Sequence, residues 1–154
     1  MKQAMWLLLF LVINFSALGF GSWLMNNGPT SNWYLALNKA PWTPPGWVFG
    51  VAWTIIMICF SIYLSYLVNI KENNTFFWIL FIIQIFLNVS WNFIFFNQHA
   101  IGFALIVIIL LTVLVGYYLF SFLSEMRFKS LLIAPYFIWL LIATSLNAYS
   151  FFKN

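Results

Sequence analysis

The chain has 154 residues, of which 65% are hydrophobic and 5% charged, with a formal net charge of +4 and a mean hydropathy of +1.00. That composition excludes a water-soluble domain, which needs far more polar surface. It also excludes reading the charge as a nucleic-acid interface: Lys2, Lys39, Lys71, Glu72, Glu125, Arg127, Lys129 and Lys153 all fall at or near the gaps between apolar runs, as expected when a charge at the bilayer centre costs about 2.5–3.5 kcal/mol on insertion scales.

A helix crosses roughly 30 Å of hydrocarbon with about 20 apolar residues, and five segments qualify: residues 4–25, 45–70, 75–96, 101–123 and 130–152. The fold class this predicts is an all-α integral membrane protein, a five-transmembrane-helix bundle forming a single domain over residues 1–154. The short breaks between spans predict an up-and-down arrangement of antiparallel neighbours. The first run continues past Ala17-Leu18-Gly19 to Leu24, longer than the apolar core of a secretory leader, and is read as a span. Asn26-Asn27-Gly28-Pro29 then ends it with a glycine cap followed by a proline. Within that span Ala17 and Gly21 make a small-xxx-small pair that lets a neighbouring helix approach.

The connector that follows is the most individual part of the chain. Ser31 can cap a short helix over residues 32–38, with Trp33 and Leu37 on one face. Pro41, Pro44 and Pro45 then push Ala40, Thr43 and Pro44 towards extended backbone, so the second span begins near Pro45. An interfacial aromatic belt accounts for Trp42 and Trp47 with no ligand. A rigid lid over the end of the bundle accounts for them equally, and the sequence leaves both open.

In the second span Gly46, Phe49, Trp53, Met57 and Phe60 share a stripe, while Cys59 has no partner for a disulfide or thiolate metal site and is read as packing. In the third, Gln84, Asn88, Trp91 and Phe95 lie within about 60° of one another at helical spacing. Lipid offers an amide no partner, so this stripe faces the bundle interior. It is either interhelical glue worth about 0.6 kcal/mol per bond or the polar part of an aromatic-lined site for a large flat ligand. His99 has no second ligand at metal spacing and is read as a solvated loop residue; no metal site, hydrolytic triad or phosphate-cradling loop is predicted. In the fifth span Pro135, Trp139, Ala143, Leu146 and Ser150 share a stripe, with Pro135 expected to kink the helix from inside. Lys2, Lys71, Arg127 and Lys129 fall on one side of the membrane and Lys39 and Lys153 on the other, which favours a cytoplasmic N-terminus.

Three groups of these residues resemble the translocator protein family, the tryptophan-rich sensory proteins also known as peripheral-type benzodiazepine receptors. Trp33-Tyr34, Leu37, Lys39, Trp42-Thr43-Pro44-Pro45 and Trp53-Thr54 look like the family's first-loop and second-helix signature. Asn88, Trp91 and Phe95-Phe96 look like its third-helix motif, and Pro135-Tyr136, Trp139, Ala143-Thr144 and Leu146-Asn147 like its fifth. The resemblance implies an internal pocket capped by the first loop and a membrane receptor or sensor, in a bacterial cell membrane. The implied ligands are protoporphyrin IX, haem-related tetrapyrroles and isoquinoline or benzodiazepine-type compounds, held as ligands and not cofactors, with transport as a related activity and homodimers frequent. By position it implies ligand contacts from Tyr34, Pro44, Trp53, Asn88, Trp91, Trp139, Ala143 and Leu146. The alternative it carries is a light- and oxygen-dependent porphyrin-degrading enzyme, with Trp53 and Trp139 as the catalytic positions. The chain departs from the family in placing Pro41 one position later than the usual Lys-Pro-x-Trp, in carrying Val107 where several relatives have a carboxylate, and in lacking a GxxxG-like pair in the third span for a dimer. Leu146, Tyr149 and Lys153 satisfy the loose sterol pattern with the tyrosine out of register, which disfavours a sterol ligand.

Overall fold

A computed structural model describes residues 2–71 and 74–154. The break expected over Lys71 to Asn74 is described only at its ends, because Glu72 and Asn73 lie outside the described residues. The helices are α1 (Lys2–Leu24), α2 (Asn32–Ala36), α3 (Gly46–Lys71), α4 (Thr75–Asn92), α5 (Ile101–Ser121), α6 (Leu123–Met126) and α7 (Ala134–Lys153). A 3₁₀ turn (Gly28–Thr30) precedes α2 and a second (Arg127–Leu132) precedes α7. A π turn (Phe93–Asn97) prolongs α4.

Four helices are long and apolar enough to cross a membrane alone: α1, α3, α4 with its π turn, and α5. The fifth span is the one that departs from expectation. Its helix begins at Ala134 and not near Ser130, and the stretch Leu123–Leu132 meets it at 72°. Pro135 therefore kinks nothing; it stands in the first turn of α7, where its missing N–H is one that no helix uses. The left-handed backbone of Arg127, φ 50°, belongs to the same bend.

The five long helices close into a ring. Neighbours meet in the order α1, α3, α7, α5, α4 and back to α1, with the α3–α7 contact the slightest of the five. Chain order and spatial order differ: α3 and α4 follow one another in sequence, yet α1 lies between them. The up-and-down expectation of sequential neighbours fails at this step. Leu8, Ile82, Phe86 and Val113 stand more than half exposed around the outside, a surface that lipid solvates and water would not.

Inside, α1 and α3 are joined by Asn14, whose Nδ2 donates to Ser61 Oγ at 2.8 Å; Ser61 in turn donates to the Met57 carbonyl. Gly21 supplies the close approach of α1 to α4, since a Cβ there would lie 2.7 Å from Asn92 Nδ2. At the end of the bundle away from the connector, Lys71 pairs with Glu125 at 3.0 Å, and the Lys129 ammonium sits 4.0 Å above the Tyr66 ring. Cys59 is a free, partly buried thiol.

Candidate functional site

The connector covers one end of the ring, and its conformation follows from its sequence. Two residues past the end of α1, Asn26 adopts a left-handed φ of 53°, a conformation asparagine tolerates because its side chain is short and polar. Gly28, expected to be that cap, has no positive φ. It is needed for another reason: a Cβ would fall 2.6–2.7 Å from the Phe96 Cβ and ring. Ser31 caps α2 as its hydroxyl accepts from the Tyr34 N–H at 3.2 Å, and α2 ends at Ala36, two residues sooner than the proline pattern suggested.

From there the connector spans α4 and α7. On the α4 side, Trp33 stacks on His99 with ring centres 4.0 Å apart and meets Phe95 edge-on at 5.6 Å. His99 is exposed but is thus part of the connector's seat and not simply solvated. Tyr34 packs on Phe95 and Phe96, with the Lys39 ammonium 4.5 Å over its ring. Burial raises the Tyr34 phenol above its ordinary pKa of 10.0. The π turn carries Phe95 and Phe96 of this seat; its wide backbone bond, Gln98 N–H to Phe93 O, belongs to a form of helix often found at functional sites. On the α7 side, Trp42 Nε1 donates to Ser145 Oγ at 3.2 Å and the Trp42 ring meets Tyr149 edge-on. Asn38 and Asn154 exchange hydrogen bonds at 2.9 and 3.3 Å. Pro44, half-buried, follows a turn closed by Thr43 N–H to Ala40 O.

Below the connector, α4 and α7 are not adjacent in the ring, and the gap between them is filled by side chains. Two polar rungs cross it. In the first, Gln84 Nε2 and Asn88 Nδ2 both donate to the Tyr136 hydroxyl, at 2.9 and 2.6 Å. In the second, Trp91 Nε1 donates to Asn147 Oδ1 at 3.0 Å, and Asn147 Nδ2 donates to the Ile101 carbonyl, tying in α5. Tyr136 is wholly buried, Gln84 almost so. Trp91 stacks on Phe95 at 5.1 Å, which links the second rung to the connector's seat.

Along the seam of α3 and α7 the two remaining indoles interleave. Trp53 meets Tyr136 edge-on at 5.9 Å, and Phe49 meets Trp139 at 5.3 Å. Trp53 thus lies at the level of Tyr136 and Trp139 at the level of Phe49, a turn apart along one seam. Trp139 is buried, yet among the described residues its Nε1 finds no hydrogen-bond partner, and neither does Gln84 Oε1. Ala143 and Leu146 are half-buried further along α7, where Thr144 bonds Thr112 of α5 at 3.1 Å.

The structure therefore brings Trp53, Asn88 and Trp91 together around the α4–α7 gap, leaves Trp139 on the α3–α7 seam against Phe49, and sets Tyr34 at the connector end. Sequence reasoning placed Pro135 on the interior stripe and left Tyr136 and Asn147 as motif letters; the buried face of α7 is Tyr136, Trp139, Leu140, Asn147 and Ser150. Trp139 and Ser150 are common to both sets, and the helical spacing of Tyr136, Leu140 and Asn147 with them was a signal available in the sequence. An open cleft of about 200 Å³ lies elsewhere, between the end of α1 and the π turn, walled by Asn26, Asn27, Phe96 and His99 among others; none of the eight expected ligand contacts lines it.

Residues 5–152 match the model of the TspO/MBR family. The chain is 32% identical over 134 residues to the tryptophan-rich protein TspO of Chlorobaculum tepidum, covering 85% of each chain. It is 30% identical to the tryptophan-rich sensory protein of Cereibacter sphaeroides, over 75% of this chain and 72% of that one, and 30% identical to the human translocator protein, over 79% and 74%. With the motif residues of all three groups placed around one gap and its cover, and a match that runs nearly end to end, this chain belongs to the TspO/MBR family.

Proposed function

We propose that this protein is a membrane receptor or sensor that binds tetrapyrroles such as protoporphyrin IX, and flat isoquinoline or benzodiazepine-type ligands, in the α4–α7 gap beneath the connector. The observation that carries the reading is the make-up of that gap: the indoles of Trp53 and Trp91 with the amides of Gln84, Asn88 and Asn147, and an aromatic cover seated on both walls. A largely apolar, aromatic wall with a few oriented polar groups is the usual constitution of a small-molecule site. Two relatives bear the names sensory protein and translocator protein, which agree with recognition or movement of a small molecule at the membrane. The test is purified protein in micelles titrated with protoporphyrin IX, with absorbance followed in darkness and in light. A saturable spectral shift that stays stable under illumination is the expected result; no shift at any concentration refutes the reading.

A second reading, oxygen-dependent photochemical breakdown of the porphyrin, is favoured by one observation. The Trp53 and Trp139 rings sit edge-on against Tyr136 and Phe49 within the same seam, so a pigment bound there has oxidisable indoles at hand, with molecular oxygen as the oxidant. In this case the shifted spectrum decays only with light and oxygen, and Trp53→Phe or Trp139→Phe slows the decay far more than it weakens binding.

A further inference from the structure

The bend before α7 carries a different surface, at the end of the bundle away from the connector. The stretch Leu123–Leu132 meets α7 at 72°, so where α7 crosses the bilayer this stretch runs close to the membrane plane, at the depth where α5 ends and α7 begins. Its last part, Arg127–Leu132, is a 3₁₀ helix, in which residues three apart stand over one another. Phe128 and Leu131 therefore share one edge, and they are 88% and 70% exposed. Phe128 is the most exposed large apolar side chain among the described residues. Beside that edge stand two exposed cations, Arg127 and Lys129.

Arg127 is the unusual member. Its φ of 50° and ψ of −125° are those of the first central residue of a type II′ turn, a place ordinarily taken by glycine, asparagine or aspartate. A glycine would make this corner without strain, so the backbone gives no reason for an arginine. Pairing gives none either: Lys71 is matched by Glu125 and Lys129 lies over the Tyr66 ring, but the Arg127 guanidinium has no ion pair or hydrogen bond among the described residues. A planar fork of N–H donors is left open at headgroup depth, the geometry that meets two phosphate oxygens at once.

We propose that residues 127–131 bind the phosphodiester headgroup of an anionic phospholipid, with Arg127 and Lys129 on the phosphate and Phe128 and Leu131 entering the acyl boundary. Basic and apolar side chains interleaved on a segment in the membrane plane are the make-up of an interfacial anchor that prefers an anionic leaflet. An apolar edge of two side chains is far smaller than a stable protein interface needs, yet it is enough to reach the first methylenes of a lipid. The contact of Lys129 with Tyr66 holds the segment against α3 and so fixes where the phosphate sits.

Arg127 is the one arginine in the chain, so its side-chain Nε–H resonance reports on this site alone. Protein in maltoside micelles is titrated with phosphatidylglycerol, with phosphatidylcholine and with inorganic phosphate. The resonance is expected to move saturably with phosphatidylglycerol, far less with the other two at equal concentration, and less again as salt is raised. An equal shift with phosphatidylcholine, a shift with inorganic phosphate as large as with the lipid, or no shift with any of them overturns the proposal. Arg127→Gly keeps the turn and removes the cation. Its preference for phosphatidylglycerol over phosphatidylcholine, read by mass spectrometry of the lipid-bound protein, is expected to fall about fivefold, the worth of one cation near an anionic surface, while thermal unfolding is unchanged or later; Arg127→Lys should keep most of the preference. An unchanged preference in Arg127→Gly also overturns the proposal and shows that the arginine serves the bend alone.

Discussion

Gly28→Ala tests whether the connector is fitted to the bundle or merely rests on it. The added Cβ would lie 2.6 Å from the Phe96 Cβ and 2.7 Å from the first ring atoms, against the 3.5–4.0 Å or so at which carbon atoms attract. The overlap is therefore about 1 Å, and it falls on the root of the side chain, which cannot swing aside as a flexible tip does. Phe96 also touches Tyr34, Trp91 and Phe95, so its displacement disturbs the seat and the second polar rung together. Overpacking of this kind costs about 1–3 kcal/mol. Gly46→Ala is the matched control: it lies at the connector's other end, where a Cβ meets nothing within 4 Å, and alanine in a first helical turn is neutral or slightly stabilising. Unfolding in mixed micelles and protoporphyrin IX affinity, measured side by side, should both fall for Gly28→Ala and stay level for Gly46→Ala. Equal behaviour of the two variants would show that the connector is a loose interfacial anchor and would remove the argument for a fitted cover.

Trp53→Phe and Trp139→Phe should each lower porphyrin affinity several-fold and remove part of the ligand's quenching of tryptophan fluorescence, since an aromatic pair is worth about 0.5–1.5 kcal/mol beyond burial; a double variant with unchanged affinity would move the site elsewhere. Ser61→Ala should destabilise the bundle by about 1–3 kcal/mol because it strands the buried Asn14 amide, whereas Asn14→Leu with Ser61→Ala should recover most of that loss; additive losses in the double variant would contradict the pairing. Burial raises the Tyr34 pKa, so the folded connector holds the phenol proton more tightly than the unfolded chain. Its contribution is complete below the unfolded value of 10.0 and is lost as pH rises through the higher folded value. Connector docking, read by hydrogen exchange over residues 31–39, should therefore weaken only on the alkaline side of that value, and Tyr34→Phe should abolish this loss.

Much of the fold was legible because lipid makes the rules strict. The interior stripe of α4 could be read from Gln84, Asn88, Trp91 and Phe95, since amides at helical spacing have nowhere else to point. The cap of α2 was readable at Ser31 for the same local reason. What failed was register and neighbourhood. The α7 stripe was aimed about 50° off at 100° per residue: Trp139 and Ser150 belong to the buried face as read, but Tyr136, Leu140 and Asn147 complete it in place of Pro135, Ala143 and Leu146. The order of helices around the ring was invisible, because periodicity says which face is buried and not against what. The role of Gly28 was misassigned because its constraint comes through space from Phe96, and the chain gives a glycine before a proline one obvious local use.

The ring order has a consequence for how the membrane receives this protein. α4 enters with Gln84, Asn88 and Trp91 on its inner face, but their acceptors, Tyr136 and Asn147, belong to α7, which is synthesised after α5. Until α7 arrives, the ring is open between α3 and α5, and three donors face hydrocarbon with no partner, a state in which each unsatisfied group is costly. The gap proposed as the site thus takes shape only once α7 is in place. A nascent chain halted after α5 would expose just the polar surface that membrane quality control recognises, so damage to the site and failure of assembly should be hard to separate in the cell while remaining distinct in purified protein.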